Sequence, residues 1–351
     1  MPGHDIIVIG ASAGGVEALR EIIKGLPADI PAAVFVVLHL PSDATSVLPS
    51  ILERAGQLPA HHPKDREAIE SGRIYVAKPD CHLLIKRGYV RLVRGPKENS
   101  ARPAVDPLFR TAARYYSNRV VGVVLSGALD DGTSGLIAIK SRGGIAVVQE
   151  PDDALYSGMP RSALENTEVD YCLPASDIAA LLTRLANEQV EWEEGQTMND
   201  DMEKELDTAE FDLEAIKDND RPGVPSRYTC PECHGVLFEI DEESLLRFRC
   251  RVGHAYSAET LLSEQSEALE AALWAALRSL EENVALTKRL AHRMRERGNL
   301  RSAKRFDNNA ENLEHRVGLI RKVLIGQPVT ERPQADESRN SESSEVAEEA
   351  T

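Results

Sequence analysis

The turn Gly10-Ala11-Ser12-Ala13-Gly14 ends the apolar run Ile6-Ile7-Val8-Ile9 and opens onto a helical stretch. Small residues on both sides of a serine let a chain turn sharply from strand to helix and lift the hydroxyl above a sheet. A serine hydroxyl is a poor nucleophile at neutral pH, so it needs a base, usually histidine, and a carboxylate that fixes the imidazole tautomer. His39 closes the run AAVFVVLHL, and Asp131 follows VVGVVLSGALD. Three separate strands are therefore expected to deliver Ser12, His39 and Asp131 to the carboxyl rim of a parallel sheet, where sites collect. Taken singly, His39 reads as a satisfied structural histidine and Asp131 as the N-cap of the stretch GTSGLIAIK; their coincidence with Ser12 favours nucleophilic chemistry. A dinucleotide-binding loop is the competing reading of the same turn. It fails because Ser12 stands where backbone must approach a pyrophosphate past a glycine, and no persuasive acidic strand end follows.

A second constellation lies far downstream. Cys230, Cys233, Cys250 and His254 give C-x2-C-x16-C-x3-H, the spacing of a zinc ribbon in which the strands HGVLFEI and SLLRFRC return the second ligand pair to the first. Four ligands with no vacancy describe a structural zinc, since catalytic zinc keeps a position open for water. Catalysis on this reading requires no cofactor. His234 is an alternative fourth ligand, and a disulfide with spare residues is the lesser reading in a reducing compartment. Cys81 and Cys172 stand apart and read as inert packing residues.

Positioning Ser12, His39 and Asp131 requires an α/β domain. Short β-branched runs at 5–10, 32–40, 73–77, 82–94, 119–126, 144–149 and 170–173 alternate with helical stretches after Gly14 and at 44–55, 106–116, 133–141 and 175–187. That alternation predicts a doubly wound, mainly parallel sheet over 1–187, covered on both faces, with continuously apolar runs as central strands. Residues 188–226 are strongly acidic, with Lys204 and Lys217 the only basic residues before Arg221, and read as a solvated linker with one helix at 201–217. The cysteine module occupies 227–256. Over 257–325, apolar residues recur at intervals of three and four, from Leu269, Leu273, Leu277, Leu280 and Val284 to Phe306, Ala310, Leu313, Val317, Ile320 and Leu324. This predicts an antiparallel helical hairpin that could pair with a coiled-coil partner or with a second copy. The acidic tail at 326–351 is expected to be disordered.

The 351 residues carry a formal net charge of −16, which disfavours nucleic acid and anionic membrane as partners because both demand clustered Lys and Arg. No apolar stretch reaches bilayer length and no signal peptide precedes the first strand, so a cytoplasmic location is expected.

With these residues in place, the stretches VIGASAGGVEAL, VVLHLP, RPAVDPLFRTAA, VVLSGALDDGTSGL and QEPDDALYSGMPRSA, in order over residues 5–185, closely resemble the catalytic domain of the chemotaxis methylesterase (CheB) family. The resemblance implies a hydrolase that removes methyl esters from glutamate side chains of chemoreceptors, releasing methanol, and that also deamidates particular glutamines there. It implies Ser12 as nucleophile, His39 as general base and then acid, and Asp131 as the orienting carboxylate. The backbone N–H of Ala13 and that of Ala128 would form the oxyanion hole. Arg102, Asp106, Phe109, Gln149, Met159 and Pro160 match family-like stretches and are expected to support the site. Ala13 and Ala128-Leu129 depart from the family's frequent threonine and Met-Gly pair, changes that leave backbone donors intact. Only eleven residues precede Ser12, so the family's usual N-terminal receiver domain, and control by phosphorylation in cis, are not expected. A scaffold that has lost turnover, or an esterase of a pathway unrelated to chemotaxis, are the alternatives.

Overall fold

The computed structural model describes residues 3–190, 223–242 and 245–326. The chain divides into two compact units, Met1–Glu264 and Gln265–Thr351.

Seven parallel strands form the main sheet: β1 (Ile6–Ala11), β2 (Ala33–Leu38), β3 (Ala60–His61), β4 (Ile74–Val76), β7 (Val120–Val124), β8 (Ile145–Gln149) and β9 (Tyr171–Leu173). Their order is β3-β4-β2-β1-β7-β8-β9. From β1 the chain moves outward on one side to β2 and returns later to build β7, β8 and β9 on the other. The connections thus diverge at the carboxyl ends of β1 and β7, the crevice where open α/β sheets place their sites.

Every residue of β1, β2 and β7 is buried, as strands covered on both faces must be. Alternate residues sort the two faces: Ile7, Ile9, Val34 and Val36 pack with α1 (Gly15–Gly25), α2 (Leu48–Ala55) and α6 (Ala175–Asn187). Val8, Phe35 and Val37 pack with α3 (Val105–Tyr116), α4 (Thr133–Ser141) and α5 (Gly158–Asn166). The expected strand at 82–94 is instead an antiparallel hairpin, β5 (His82–Lys86) and β6 (Tyr89–Val93), in a sheet of its own. It turns at Arg87-Gly88, where Gly88 has φ 80°. The helix expected from residue 44 begins only at Leu48, and α5 falls where sequence periodicity offers no helix. Cys81 is buried as a packing residue should be, but Cys172 lies exposed on the edge strand β9.

Downstream, β10 (Val224–Thr229), β11 (Val236–Glu242), β12 (Leu245–Cys250) and β13 (Ala255–Ser257) form an antiparallel sheet in sequence order. Its core is small: Cys230, Leu237, Phe248, Cys250, Tyr256 and Leu261. Two long helices follow, α7 (Ala258–Glu296) and α8 (Leu300–Leu324). Between them Leu277, Ala291, Ala303, Ala310 and Val317 are buried, and ion pairs Glu281–Arg321, Lys288–Glu314 and Arg295–Asp307 recur at heptad spacing. Leu269, counted in the sequence pattern, is 62% exposed. By the register of those ion pairs its opposite position falls beyond Leu324, where α8 ends. The expected helix at 201–217 and the expected disordered tail lie outside the described residues. Among the described residues, no helix is long and apolar enough to cross a membrane.

Candidate active site

The turn after β1 is held from both sides. A Cβ at Gly10 would run into the side chain of Val105, so only glycine lets α3 approach this strand. Gly14 takes φ 74° at the N-cap of α1, the left-handed conformation that ends the turn. Ser12 N donates to Ser126 O at 2.9 Å, and Ser126 Oγ donates to Ala13 O at 2.8 Å. Ser126 N in turn donates to Gln149 Oε1 at 2.9 Å, whose amide donates to Asp153 at 2.8 Å. The half-buried Ser12 is thereby fixed to the loop after β7.

His39 follows β2. Ala11 pairs with Leu38 in the parallel register, and His39 N donates to Ala11 O at 3.1 Å. The next residues on each strand, Ser12 and His39, therefore leave adjacent strands side by side. His39 Nε2 lies 2.7 Å from Asp131 Oδ2. With a side-chain exposure of 21% the imidazole is open to a substrate, while Asp131 at 3% is sealed beneath it.

Asp131 is held by more than histidine. Its Oδ2 accepts from Val105 N at 2.7 Å and its Oδ1 from Asp106 N at 3.2 Å, the first two N–H groups of α3. It caps that helix, not the following one as the sequence alone suggests. The start of α4 is served by Asp106, whose Oδ1 accepts from Gly132 N at 3.1 Å and Gly135 N at 2.7 Å. The two aspartates thus cap each other's helices, and each carboxylate sits at a positive helix end. They do not share charge equally. Burial pushes Asp131 up, but the hydrogen bond and charge of His39, with the Val105 and Asn99 donors, outweigh it and bring the carboxyl below its ordinary value. Burial and the Asp131 charge drive Asp106 upward. Two buried carboxylates this close favour one ionised partner, and Asp131 is the one that carries the charge.

Ala13 and Ala128 both lie on the exposed lip of this rim. Ala128 follows Gly127, whose N–H donates to Tyr156 O at 3.0 Å and whose carbonyl accepts from Met159 N at 2.9 Å. That pairing stations the loop beside Ser12: a Cβ on Gly127 would meet both Met159 and the Ser12 Cβ.

Three residues that no sequence motif singles out also converge here. Asn99 Nδ2 donates to Asp131 Oδ1 at 3.0 Å and to Asp106 Oδ2 at 3.1 Å. Asp130, beside Asp131, accepts on Oδ1 from Ser257 Oγ at 2.7 Å and Thr260 Oγ1 at 3.0 Å. Glu98 is buried against Arg110 and Arg249, with Arg247 beyond; burial opposes its charge, and the three guanidinium groups overcome this and hold the carboxyl low. Their partners in the downstream module lie more than a hundred residues away, so no local spacing marks them.

In the downstream module, one ligand atom from each of Cys230, Cys233, Cys250 and His254 lies within 4.8 Å of the others. Cys230 Sγ is 3.7 Å and Cys250 Sγ 3.5 Å from His254 Nδ1, and Cys233 Sγ is 3.6 Å from Cys250 Sγ. A tetrahedral ion with sulfur and nitrogen bonds of about 2.0–2.3 Å requires edges of about 3.5–3.8 Å, so these donors fit a metal. His234 stands outside the group. Its backbone takes φ 58° and its N–H donates to Cys230 O at 2.9 Å, which makes it the turn of the first knuckle.

A serine turn, a carboxylate-backed histidine and a parallel-sheet rim at a strand-order reversal define a hydrolase of the α/β class. The chain belongs to the CheB methylesterase family, whose sequence profile matches residues 7–182. A relative from Leptospira interrogans is 40% identical over 189 residues, covering 54% of this chain and 98% of its own length. Proteins named protein-glutamate methylesterase/protein-glutamine glutaminase from Anaeromyxobacter dehalogenans and Pyrococcus abyssi are 37% and 33% identical; this chain spans about half of each, 53% and 51%. The crystal structure of the Thermotoga maritima CheB methylesterase catalytic domain is similar at 36% identity and a TM-score of 0.50, covering 52% of this chain and 98% of that one.

Proposed function

We propose that this enzyme hydrolyses methyl esters of glutamate side chains on chemoreceptor-type signalling proteins in the cytoplasm, with Ser12, His39 and Asp131 as its catalytic residues. The observation that carries the assignment of roles is the 2.7 Å contact of His39 Nε2 with the buried Asp131, at the strand end adjacent to Ser12. The names of the relatives supply the substrate class.

With Nε2–H donated to Asp131, His39 Nδ1 is the nitrogen left to take the serine proton. Ser12 Oγ attacks the ester carbonyl as His39 accepts its proton, and the carbonyl oxygen takes the negative charge. Backbone N–H groups of Ala13 and Ala128 would receive that charge, the first of them just ahead of the N-terminus of α1. Collapse breaks the bond to the methoxy oxygen, which leaves as methanol with the proton from His39. Water then attacks the acyl-enzyme, giving its proton to His39, and the free glutamate carboxylate departs as Ser12 is reprotonated. Asp131 keeps its charge throughout and stabilises the imidazolium. The same route on a glutamine side chain releases ammonia, matching the second activity in the relatives' names.

The residues Cys230, Cys233, Cys250 and His254 would hold a structural zinc ion, which supplies a crosslink between two strand pairs and no part of the reaction. The module and the α7–α8 hairpin would serve to bring the enzyme to its protein substrate or to a second copy.

Methanol release from methylated chemoreceptor membranes, wild type against Ser12→Ala, tests the reading. Release should fall at least ~10³-fold in the variant, as for loss of a catalytic nucleophile, with the fold unchanged. Equal release by both proteins would overturn the role of Ser12. No release by wild type, together with no labelling of Ser12 by a fluorophosphonate, would leave a scaffold.

A further inference from the structure

The Cys/His module reaches the candidate catalytic carboxylate most directly through one amide, that of Asn99. The segment Lys97–Ala101 lies between the two: Asn99 N donates to Ala255 O at 2.8 Å, and Ala255 N donates to Lys97 O at 3.2 Å. Ser257 N donates to Asn99 Oδ1 at 3.0 Å. This fixes which way the Asn99 amide faces. Its oxygen must meet the Ser257 N–H, so its nitrogen must point at the charged Asp131, with Asp106 Oδ2 beside it at 3.1 Å. Asn99 and Ser100 have φ 48° and 61°, and asparagine is among the few side chains that accept this left-handed backbone readily.

Two further ties run alongside. Ser257 Oγ accepts from Thr260 N at 3.0 Å, capping α7, and the same hydroxyl donates to Asp130. Glu98 joins Arg249 of β12 to Arg110 of α3, the helix whose first N–H groups hold Asp131. Strand β13, which supplies Ala255 and Ser257, begins one residue after His254 of the Cys/His cluster. Assembly of that cluster therefore sets the strand that sets Asn99.

We propose that Asn99 is a positioning residue for Asp131 and that the assembled Cys/His module, acting through Ala255 and Ser257, holds it in place, so that full turnover requires the module to be intact. The inference rests on the reading of Ser12, His39 and Asp131 given above. The module supplies no reacting group. Its part is to fix the second oxygen of a carboxylate whose first oxygen orients His39. A donor lost from a buried charged acceptor lowers a rate by about 10- to 100-fold when the charge is used in the transition state.

The experiment uses the full-length protein in four states: wild type, Asn99→Ala, Asn99→Asp, and wild type stripped with a chelator and then reloaded with Zn²⁺. Asn99→Asp keeps an acceptor for Ser257 N but turns an oxygen toward two carboxyl groups, whereas Asn99→Ala removes both functions. Methanol release gives kcat and KM separately, and the low-field proton resonance of the His39–Asp131 hydrogen bond gives a readout independent of turnover. Both variants should lose about 10-fold or more in kcat with KM unchanged, and the low-field resonance should move or broaden. Stripping should reproduce both effects, and reloading should reverse them. Stripping Asn99→Ala should then cost less than stripping wild type, because the direct link is already gone and only the ties through Glu98 and Asp130 remain. The proposal is overturned by Asn99→Ala with kcat within twofold of wild type, by stripping that lowers kcat equally in wild type and variant, or by a resonance that stripping leaves in place. Should Asn99→Ala fail to fold, the resonance of stripped and reloaded wild type still decides the matter. A silent Ser12→Ala beside an unaffected Asn99→Ala refutes this inference alone, and an active Ser12→Ala refutes the reading beneath it.

Discussion

The parallel-sheet region and the Cys/His module solve the problem of holding a site still in opposite ways. In the first, strands β1, β2 and β7 are wholly buried between two apolar layers. The rim that carries Ser12, His39 and Asp131 rests on that packing, with hydrogen bonds from α3 and Asn99 added at Asp131. In the second, the core cluster among the described residues has six buried members, a small number to offset the ordering of four strands. The residues that converge there are three cysteines and a histidine. The first region rests on hydrophobic area, while form in the second would depend on the metal proposed for that cluster.

The largest effect that separates the regions is therefore metal removal. Structural zinc contributes on the order of 10 kcal/mol to small domains of this kind. A chelator should melt β10–β13 while leaving the parallel sheet folded. Hydrogen exchange followed by mass spectrometry reads this directly: amides of residues 224–257 should lose protection, and those of β1, β2 and β7 should keep it. Unchanged protection of the module in chelator would show that docking on Glu98, Asn99 and Asp130 suffices without an ion.

Next in size is Asp131→Asn. The side chain keeps its volume, but an N–H₂ group must face either His39 or the donors of α3. Turnover should fall ~10⁴-fold through the wrong imidazole tautomer, and the weakened cap on α3 should cost about 1 kcal/mol in urea unfolding. A large loss of stability with little loss of rate would make Asp131 a capping residue first, and would place the chemistry elsewhere.

What could be read in advance follows the same division. Ser12, His39 and Asp131 each end an apolar run, and the sheet rule places such ends on one rim. The cysteine spacing and the three-and-four intervals of the hairpin are local patterns too. The β5–β6 hairpin was hidden inside one long β-branched run because its turn, Arg87-Gly88, is so short. Helix α5 starts at Gly158-Met159-Pro160, which carries no helical period. Asn99, Glu98 and Asp130 were illegible for a different reason. Asn99 meets Ser257 across a separation of 158 residues, Glu98 meets Arg249 across 151, and Asp130 meets Ser257 across 127. Nothing in the stretch PKENSAR announces a partner that far away.

Asp130 offers a smaller and pH-dependent probe of that junction. Burial pushes its carboxyl up to about 6, against the hydrogen bonds of Ser257 and Thr260, which pull it down. A carboxyl raised in the folded state contributes stability that is fully present below its unfolded value near 4 and is lost as pH climbs through about 6. Asp130→Asn keeps the single oxygen on which both hydroxyls converge and removes the buried charge. The variant should be more stable than wild type by roughly 2 kcal/mol at pH 8, and the difference should vanish near pH 4. Thermal unfolding at the two pH values measures it. A variant less stable at pH 8 would mean that the charge is needed, as an anion at the first turn of α7, more than its burial costs.

The smallest effect belongs to the helical hairpin, where register and strength separate. The pairs Glu281–Arg321, Lys288–Glu314 and Arg295–Asp307 advance by seven on one helix as they retreat by seven on the other. Their side chains are 34–60% exposed, so water and salt screen them, and each is worth about 0.5 kcal/mol or less. Arg295→Ala should lower the hairpin's unfolding midpoint by no more than a degree or two, and 1 M salt should erase even that. Reversing one partner is more telling than deleting it. Asp307→Arg sets two cations opposite each other and should cost more than Arg295→Ala; adding Arg295→Asp to it should restore wild-type stability. Failure of the swap would mean that the buried seam of Leu277, Ala291, Ala303, Ala310 and Val317 fixes the register without help, making the hairpin, like the parallel sheet, a structure held by apolar area.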